Sequence, residues 1–172
     1  SAFQTKVRDQ IRYQGNNNLK NVQTRINGFE ASVLHQFDTV TTSLSLSILD
    51  PRDRKTGQVL TRVAKRTLTY DIDKQLGDWS LGASWQLHSQ ATDAVYNNAT
   101  WQTERKKIAG HGTVDLRASW QATNELGFGL RLGNIFDKKY SRALYDYQGE
   151  THGYREDRAT IQASVTWSPK LF

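Results

Sequence analysis

Residues 40 to 49 read VTTSLSLSIL: Val40, Thr42, Leu44, Leu46 and Ile48 occupy every second position, with Thr41, Ser43, Ser45 and Ser47 between them. A period of two places one set on one face of an extended strand and the other set on the opposite face. A helix would scatter both sets around its circumference, so the segment is a strand with one apolar and one polar face.

The pattern recurs, and eight such segments are read along the chain. The first is residues 2 to 14, extended and largely polar, followed by a turn signal at Gly15 and the three Asn residues after it. The second, 19 to 37, sets Phe29, Ala31, Val33, His35 and Phe37 on one face, and Gly28, lying between two registers of alternation, predicts a bulge there. Residues 40 to 49 are the third. The fourth, around 60 to 75, sets Leu68, Tyr70 and Ile72 against Thr69, Asp71 and Asp73. The fifth, 79 to 90, sets Trp79, Leu81, Ala83, Trp85 and Leu87 against Ser80, Gly82, Ser84, Gln86 and His88. In the sixth, Val114, Leu116, Ala118 and Trp120 oppose Thr113, Asp115, Arg117 and Ser119. The seventh carries Leu126, Phe128, Leu130 and Leu132, and the eighth sets Ala159, Ile161, Ala163, Val165 and Trp167 against Thr160, Gln162, Ser164 and Thr166.

These segments approach or exceed the roughly 9 to 11 residues that a tilted transmembrane strand requires. Only 37% of the chain is hydrophobic and its mean hydropathy is -0.70, with no apolar run of the ~18 residues a membrane helix needs. Alternation accounts for this, because a wall strand needs an apolar residue only at every second position. The fold class expected is all-β, with about eight antiparallel transmembrane β-barrel strands.

Connections alternate in length. Short ones fall near Asp38, near Leu76 to Asp78 and at Ala122 to Glu125; long ones, rich in Asp, Gly, Asn, Thr and charge, cover 50 to 59, 91 to 111 and 146 to 153. Outer-membrane barrels pair tight periplasmic turns with long extracellular loops, so by parity the last strand ends on the periplasmic side. Trp79, Trp85, Trp120, Phe128, Tyr140 and Trp167 sit where interfacial aromatic girdles would place them.

No catalytic chemistry is legible, and no enzyme is expected. Cysteine is absent, which excludes thiol catalysis and cysteine metal sites. The four histidines, His35, His88, His111 and His152, are too scattered to mark a metal site, so they read as solvated or lumen groups. Asp71 and Asp73 share a strand face and read as lumen lining rather than as an acid–base pair. No cofactor is called for. The net charge of +6 comes from clusters in the connections (Arg52, Arg54 and Lys55; Lys65 and Arg66; Arg105, Lys106 and Lys107; Lys138 and Lys139), with no nucleic-acid-binding motif around them. Such clusters read as a solvated loop surface that can also meet lipopolysaccharide phosphates.

The block Gly133, Asn134, Ile135, Phe136, Asp137, Lys138, Lys139, Tyr140 resembles the NLFDKxY signature near the end of TonB-dependent receptors. Ile26 to Ala31 resembles that family's xxGxE strand, and Arg62 to Arg66 its RxPxH/R strand start, with Ala64 in place of proline. The resemblance implies that residues 1 to 172 are the C-terminal part of a receptor barrel of about 22 strands, with the N-terminal plug domain and earlier strands absent. The abrupt start inside a strand agrees with a fragment. The block itself reads as structural: Asn134 and Asp137 bond nearby backbone, while Ile135, Phe136 and Tyr140 anchor the strand. The family's barrels end on an aromatic that serves as an assembly signal; here Trp167 and Phe172 both qualify, with Pro169 between them.

The resemblance further implies an outer-membrane active-transport receptor of a Gram-negative bacterium, energised by TonB through the missing N-terminal region and bedded in membrane lipid and lipopolysaccharide. The closing stretch, with Tyr140, Tyr145, Tyr147, Tyr154 and Arg155, is most similar to cobalamin receptors, so cobalamin is the expected ligand. Haem and ferric siderophore are alternatives within the family, and a self-contained eight-stranded outer-membrane protein of structural or adhesive role is an alternative outside it. The loop residues expected to touch a ligand are Tyr96, Asn97, Asn98 and Trp101 in the longest loop, with Tyr145, Tyr147 and Arg155 in the last.

Overall fold

The structure is a computed structural model that describes residues 1–13 and 19–169. The expected turn at Gly15 and the candidate terminal signal Phe172 lie outside the described residues. All regular structure within them is strand: β1 Ala2–Tyr13, β2 Leu19–Phe37, β3 Val40–Asp53, β4 Arg66–Leu76, β5 Trp79–His88, β6 Ala91–Asn97, β7 Gln102–Ile108, β8 His111–Gln121, β9 Leu126–Gly133, β10 Ser141–Tyr147, β11 Glu150–Arg155 and β12 Thr160–Trp167.

Eight of these form one antiparallel sheet in the order β1-β2-β3-β4-β5-β8-β9-β12. They are the eight segments marked by alternation. The other four form two separate hairpins, β6–β7 and β10–β11, inside stretches that read as loops. Residues 91–111 and 146–153 are therefore not irregular, as expected from their polarity; the hairpin strands gave no alternating apolar signal because they belong to no membrane wall.

The register turns the alternation into continuous bands. Val33 faces Leu44, Leu44 faces Tyr70, Tyr70 faces Trp85 and Trp85 faces Val114. Nearer the short turns, Trp79 faces Trp120, Trp120 faces Phe128 and Phe128 faces Val165. There the rings stack, Trp79 on Trp120 at 5.5 Å and Trp120 on Phe128 at 5.7 Å between centroids. This face stays open: Trp85 is 50% exposed and Phe37 72%. So broad an apolar surface on a water-soluble monomer would drive association, whereas hydrocarbon solvates it.

β1 and β12 are the two edges of the sheet and do not pair with each other. A closed eight-stranded barrel would join them. The sheet is therefore an arc of wall, which removes the structural support for a self-contained eight-stranded barrel.

Three local expectations change. Gly28 sits in regular register opposite both Phe3 and Leu49; the irregularity lies in β1 between Val7 and Gln10, where Asp9 has φ 55°. What Gly28 provides is room, since a Cβ there would overlap the Phe3 ring. β3 runs past residue 49 to Asp53, through Pro51. Leu49 N–H donates to Lys65 O at 2.8 Å, so the missing N–H two residues later falls on the side where β4 has ended, and Pro51 O accepts Leu60 N–H at 2.9 Å. β4 begins only at Arg66; Arg62 lies in a turn with φ 62° rather than in a strand start.

The buried apolar side chains, Val22, Leu60, Val95 and Ile108, all lie toward the end of the sheet that carries the long connections. A small water-excluding core sits there, to which the wall strands contribute Val22, near the start of β2.

Candidate functional site

The polar face of the sheet carries an ion network whose order follows from the register. Gly82 stands between Asp73 on β4 and Arg117 on β8. A Cβ at 82 would collide with both side chains, so its absence lets the Arg117 guanidinium lie across β5. Arg117 Nε and Nη2 donate to the two Asp73 carboxylate oxygens at 2.9 and 2.6 Å, and Nη1 donates to Ser84 Oγ at 2.6 Å. The Ser84 hydroxyl in turn donates to Asp71. Beside it, Arg131 Nη2 donates to Asp115 Oδ2 at 2.8 Å. Each acid has a cationic or hydroxyl partner, which is how charges are kept on a wall face. Asp71 and Asp73 thus lie in a structural network with no free carboxylate for acid–base work.

The Asn134 block ties β9 to the start of β12. Asn134 is buried, with φ 48°, and its N–H donates to Asp115 Oδ1 at 2.9 Å. Its Oδ1 accepts Lys138 N–H at 2.9 Å, while Nδ2 donates to Lys138 O at 3.0 Å and Asp157 O at 3.3 Å. Gly133 closes β9 opposite Thr160, and Ile135 N–H continues to Val114 O at 2.9 Å. Asp137 pairs with Arg158 through both carboxylate oxygens. That pairing, helped by the Ala159 N–H, holds the Asp137 carboxyl down to about 2 from its ordinary 3.8. Phe136 points into the open, 76% exposed. Tyr140 does not join an aromatic girdle on the apolar face; it stacks on His111 at 4.0 Å.

His111 also stacks on His88, its cross-strand partner, at 4.9 Å. Two histidines far apart in sequence are neighbours in space, and His111 Nδ1 and Nε2 are buried without a hydrogen-bond partner. Among the described residues no group of three or more His, Cys, Asp or Glu forms a metal cage.

The two hairpins and the 53–62 segment meet at Asp93. Its side chain is 2% exposed. Arg62 Nε donates to both carboxylate oxygens at 2.9 Å, Leu144 N–H donates to Oδ2 at 2.7 Å, and Ala94 N–H donates to Oδ1 at 2.9 Å. Arg62 N–H adds a bond to Thr92 O at 2.7 Å. A second tether lies further along, where Asn98 N–H and Nδ2 donate to Asp146 Oδ1 at 3.1 and 2.9 Å. The Asn98 backbone N–H is the main reason the Asp146 carboxyl titrates below its ordinary value.

Between these tethers runs a cleft of about 480 Å³ walled by Tyr96, Tyr145 and Tyr154, with Arg62 at its edge. Tyr145 contacts the Tyr154 ring at 4.7 Å and His152 at 5.6 Å. Of the residues expected from sequence to touch a ligand, Tyr96, Asn98 and Tyr145 line this cleft. Asn97 shapes its own turn, its Oδ1 accepting the Ala99 and Thr100 N–H groups at 2.9 and 3.1 Å. Trp101 completes that turn with φ 57° and is 75% exposed. Tyr147 stands at the tip of β10–β11, edge-on to His152 at 6.3 Å, and Arg155 lies exposed at the hairpin base opposite Ser141. Arg62 and Tyr154, named in the sequence only for their family resemblance, and Asp93 were not among the residues expected to touch a ligand. The one available signal was Asp93, an acid flanked by Ala91, Ala94 and Val95 in a stretch otherwise read as loop.

An open antiparallel arc, apolar on one face and charge-paired on the other, with folded segments gathered at one end, defines a section of outer-membrane β-barrel wall. Residues 1–135 match the family described as TonB dependent receptor-like, beta-barrel. The chain belongs to that family, a family of outer-membrane receptors of Gram-negative bacteria rather than of enzymes. Among solved structures it is similar to the ferripyoverdine receptor of the outer membrane of Pseudomonas aeruginosa (17% identity, TM-score 0.75), covering 96% of this chain and 24% of that one. It is also similar to the copper transporter OprC (20% identity, TM-score 0.74, 96% and 28%) and to the ferric citrate transporter FecA in its unliganded form (19% identity, TM-score 0.73, 96% and 28%). The chain thus spans about a quarter of the length of these structures.

Proposed function

We propose that this chain is the C-terminal wall and loop section of a TonB-energised receptor that imports a scarce nutrient, with a plug domain and earlier strands completing the barrel. The loop end faces the cell exterior, and TonB engages a segment of the receptor outside these residues. The observation that carries this reading is the arc itself: eight wall strands with two unpaired edges need further strands to close, and family membership supplies the architecture that provides them.

The ligand reading that draws most support is a ferric chelate, because the similar structures include a ferripyoverdine receptor and a ferric citrate transporter. Cobalamin is the second reading, supported by the Tyr-rich closing stretch, which folds into the ring-bearing hairpin β10–β11. Both are bulky, polar-rimmed ligands suited to a tyrosine-walled cleft. Binding and energised uptake by the intact receptor test the proposal, with ferric siderophores, ferric citrate, haem and cobalamin compared in cells with and without TonB. TonB-dependent uptake of a ferric chelate is the expected result. Uptake of cobalamin alone would select the second reading, and uptake of none, with the receptor present in the outer membrane, would overturn the transport reading.

A further inference from the structure

Arg62 holds its buried partner in an unusual way. Both of its bonds to Asp93 leave from Nε, each at 2.9 Å. Among the described residues neither Nη group has a protein partner, and the side chain is 54% exposed although its partner is 2% exposed. Arg117 on the wall is the contrast, since its Nη1 and Nη2 are both engaged. Arg62 also borders two clefts at once: the tyrosine-walled one of about 480 Å³ and a neighbour of about 750 Å³ that includes Gln58, Thr103 and Arg105.

A guanidinium presents its N–H donors in a planar fork, and the Nη1/Nη2 edge is one of the faces that matches two oxygens of a carboxylate or phosphate. Holding Nε fixes the plane and removes much of the rotamer entropy that a free arginine loses on binding. Asp93 is itself held by Leu144 N–H from the other hairpin, so the direction of the fork depends on the two hairpins staying together.

We infer that the free Nη edge of Arg62 is a binding point for an anionic oxygen pair, carboxylate or phosphate, and that Asp93 is its positioning residue. The inference rests on the receptor reading and adds to it the charge class of what the cleft takes. The shared chemistry has two sources: a soluble anionic ligand, or a lipopolysaccharide headgroup reaching the loop end.

The test is protection of Arg62 from phenylglyoxal, which condenses with the two Nη groups, followed by peptide mass spectrometry on the intact receptor. In lipopolysaccharide-free detergent, Arg62 is expected to react faster than Arg117. An anion affinity of about 10 mM means that about 50 mM citrate or inorganic phosphate slows the Arg62 reaction roughly sixfold. Protection by soluble citrate or phosphate identifies the soluble source; protection only in vesicles containing lipopolysaccharide identifies the headgroup. Absence of protection in both overturns the site, even if uptake proceeds normally, and protection without any uptake leaves the site standing while the transport reading fails. For Asp93, the D93N variant is expected to lose most of the protection and D93E to regain part of it, with the Asn98 amide exchanging at the wild-type rate in both. Wild-type protection in D93N, or rapid Asn98 exchange in both variants, would overturn the positioning role.

Discussion

The wall and the loop-end cluster are built from one chain for two different solvents. In the wall, the apolar residues point outward and the charged ones inward, so Trp85 is half exposed while Arg117 and Asp73 satisfy each other on the opposite face. In the cluster the order is the familiar one for water, with Val22, Leu60, Val95 and Ile108 inside and loop charges outside. The exception in the cluster is Asp93, a buried carboxylate that joins segments 31 and 51 residues apart in sequence. The wall owes its order to one continuous backbone ladder and a hydrocarbon surround; in the cluster each hairpin has its own ladder, and a few specific polar bonds join the segments to one another. Damage should therefore spread differently in the two.

The largest effect is expected for a charge placed on the apolar face. Leu116→Arg on β8 should cost about 2 to 4 kcal/mol if residue 116 sits near the bilayer midplane. The measurement is the amount of folded, heat-modifiable receptor in the outer membrane, expected to fall sharply. Ser119→Arg, on the polar face of the same strand, should leave that amount nearly unchanged; equal damage from both would erase the distinction between the faces.

A smaller and local effect is expected in the cluster. Asp93→Ala leaves Leu144 N–H and Arg62 without their acceptor, a cost of about 1 to 3 kcal/mol for the stranded buried donor. Hydrogen exchange should speed up in β6, β7, β10 and β11 while the wall strands keep their protection. Faster exchange throughout β3 to β9 would show that the cluster is not an independent unit.

Gly28→Val tests a steric detail of the wall. The added side chain meets the Phe3 ring, and overpacking of this kind costs about 1 to 3 kcal/mol. Denaturant unfolding of the refolded receptor should show the loss, and Phe3→Ala in the same chain should recover much of it. No recovery would mean that Gly28 is required for something other than room.

The smallest effect concerns the Asp137–Arg158 pair. Because the folded-state carboxyl is lowered from 3.8 to about 2, its contribution is complete above the unfolded value and is lost as pH falls between these two values. The Ala159 amide, which donates to Asp137 Oδ1 at 3.2 Å, should therefore lose exchange protection over that window, and Asp137→Asn should remove the pH dependence. Unchanged protection down to pH 2 would contradict the pairing.

The wall was legible in the sequence because its two faces meet different solvents at every residue, and that contrast prints a period of two. The segments read from the sequence located all eight strands of the sheet, and from the second onward alternation also marked the apolar face, as in Val40–Ile48 and Ile161–Trp167; the first, largely polar, segment gave a strand without a face. The hairpins were not legible because both of their sides face polar surroundings or each other, so β6 and β7 read as a polar loop. The third segment reads as ending at residue 49, and β3 continues through Pro51 because β4, starting only at Arg66, leaves no strand beside it that needs the missing N–H. In the cleft, Tyr96, Asn98 and Tyr145 were accessible to sequence reasoning as loop aromatics and amides. Arg62 and Asp93 were not legible as a pair, since their contact brings a turn residue onto strand β6, 31 residues further along the chain.

The central claim is that one face of this arc meets lipid. The chain contains no cysteine, so single cysteines placed along β5 and spin-labelled in the reconstituted receptor report one site each. Collision with oxygen, which concentrates in hydrocarbon, should be high at 79, 81, 83 and 85 and low at 80, 84 and 86, with Gly82 left in place because a Cβ there meets Asp73 and Arg117. A period of two in that phase is the predicted result; uniform accessibility along the strand, or the opposite phase, would contradict the account.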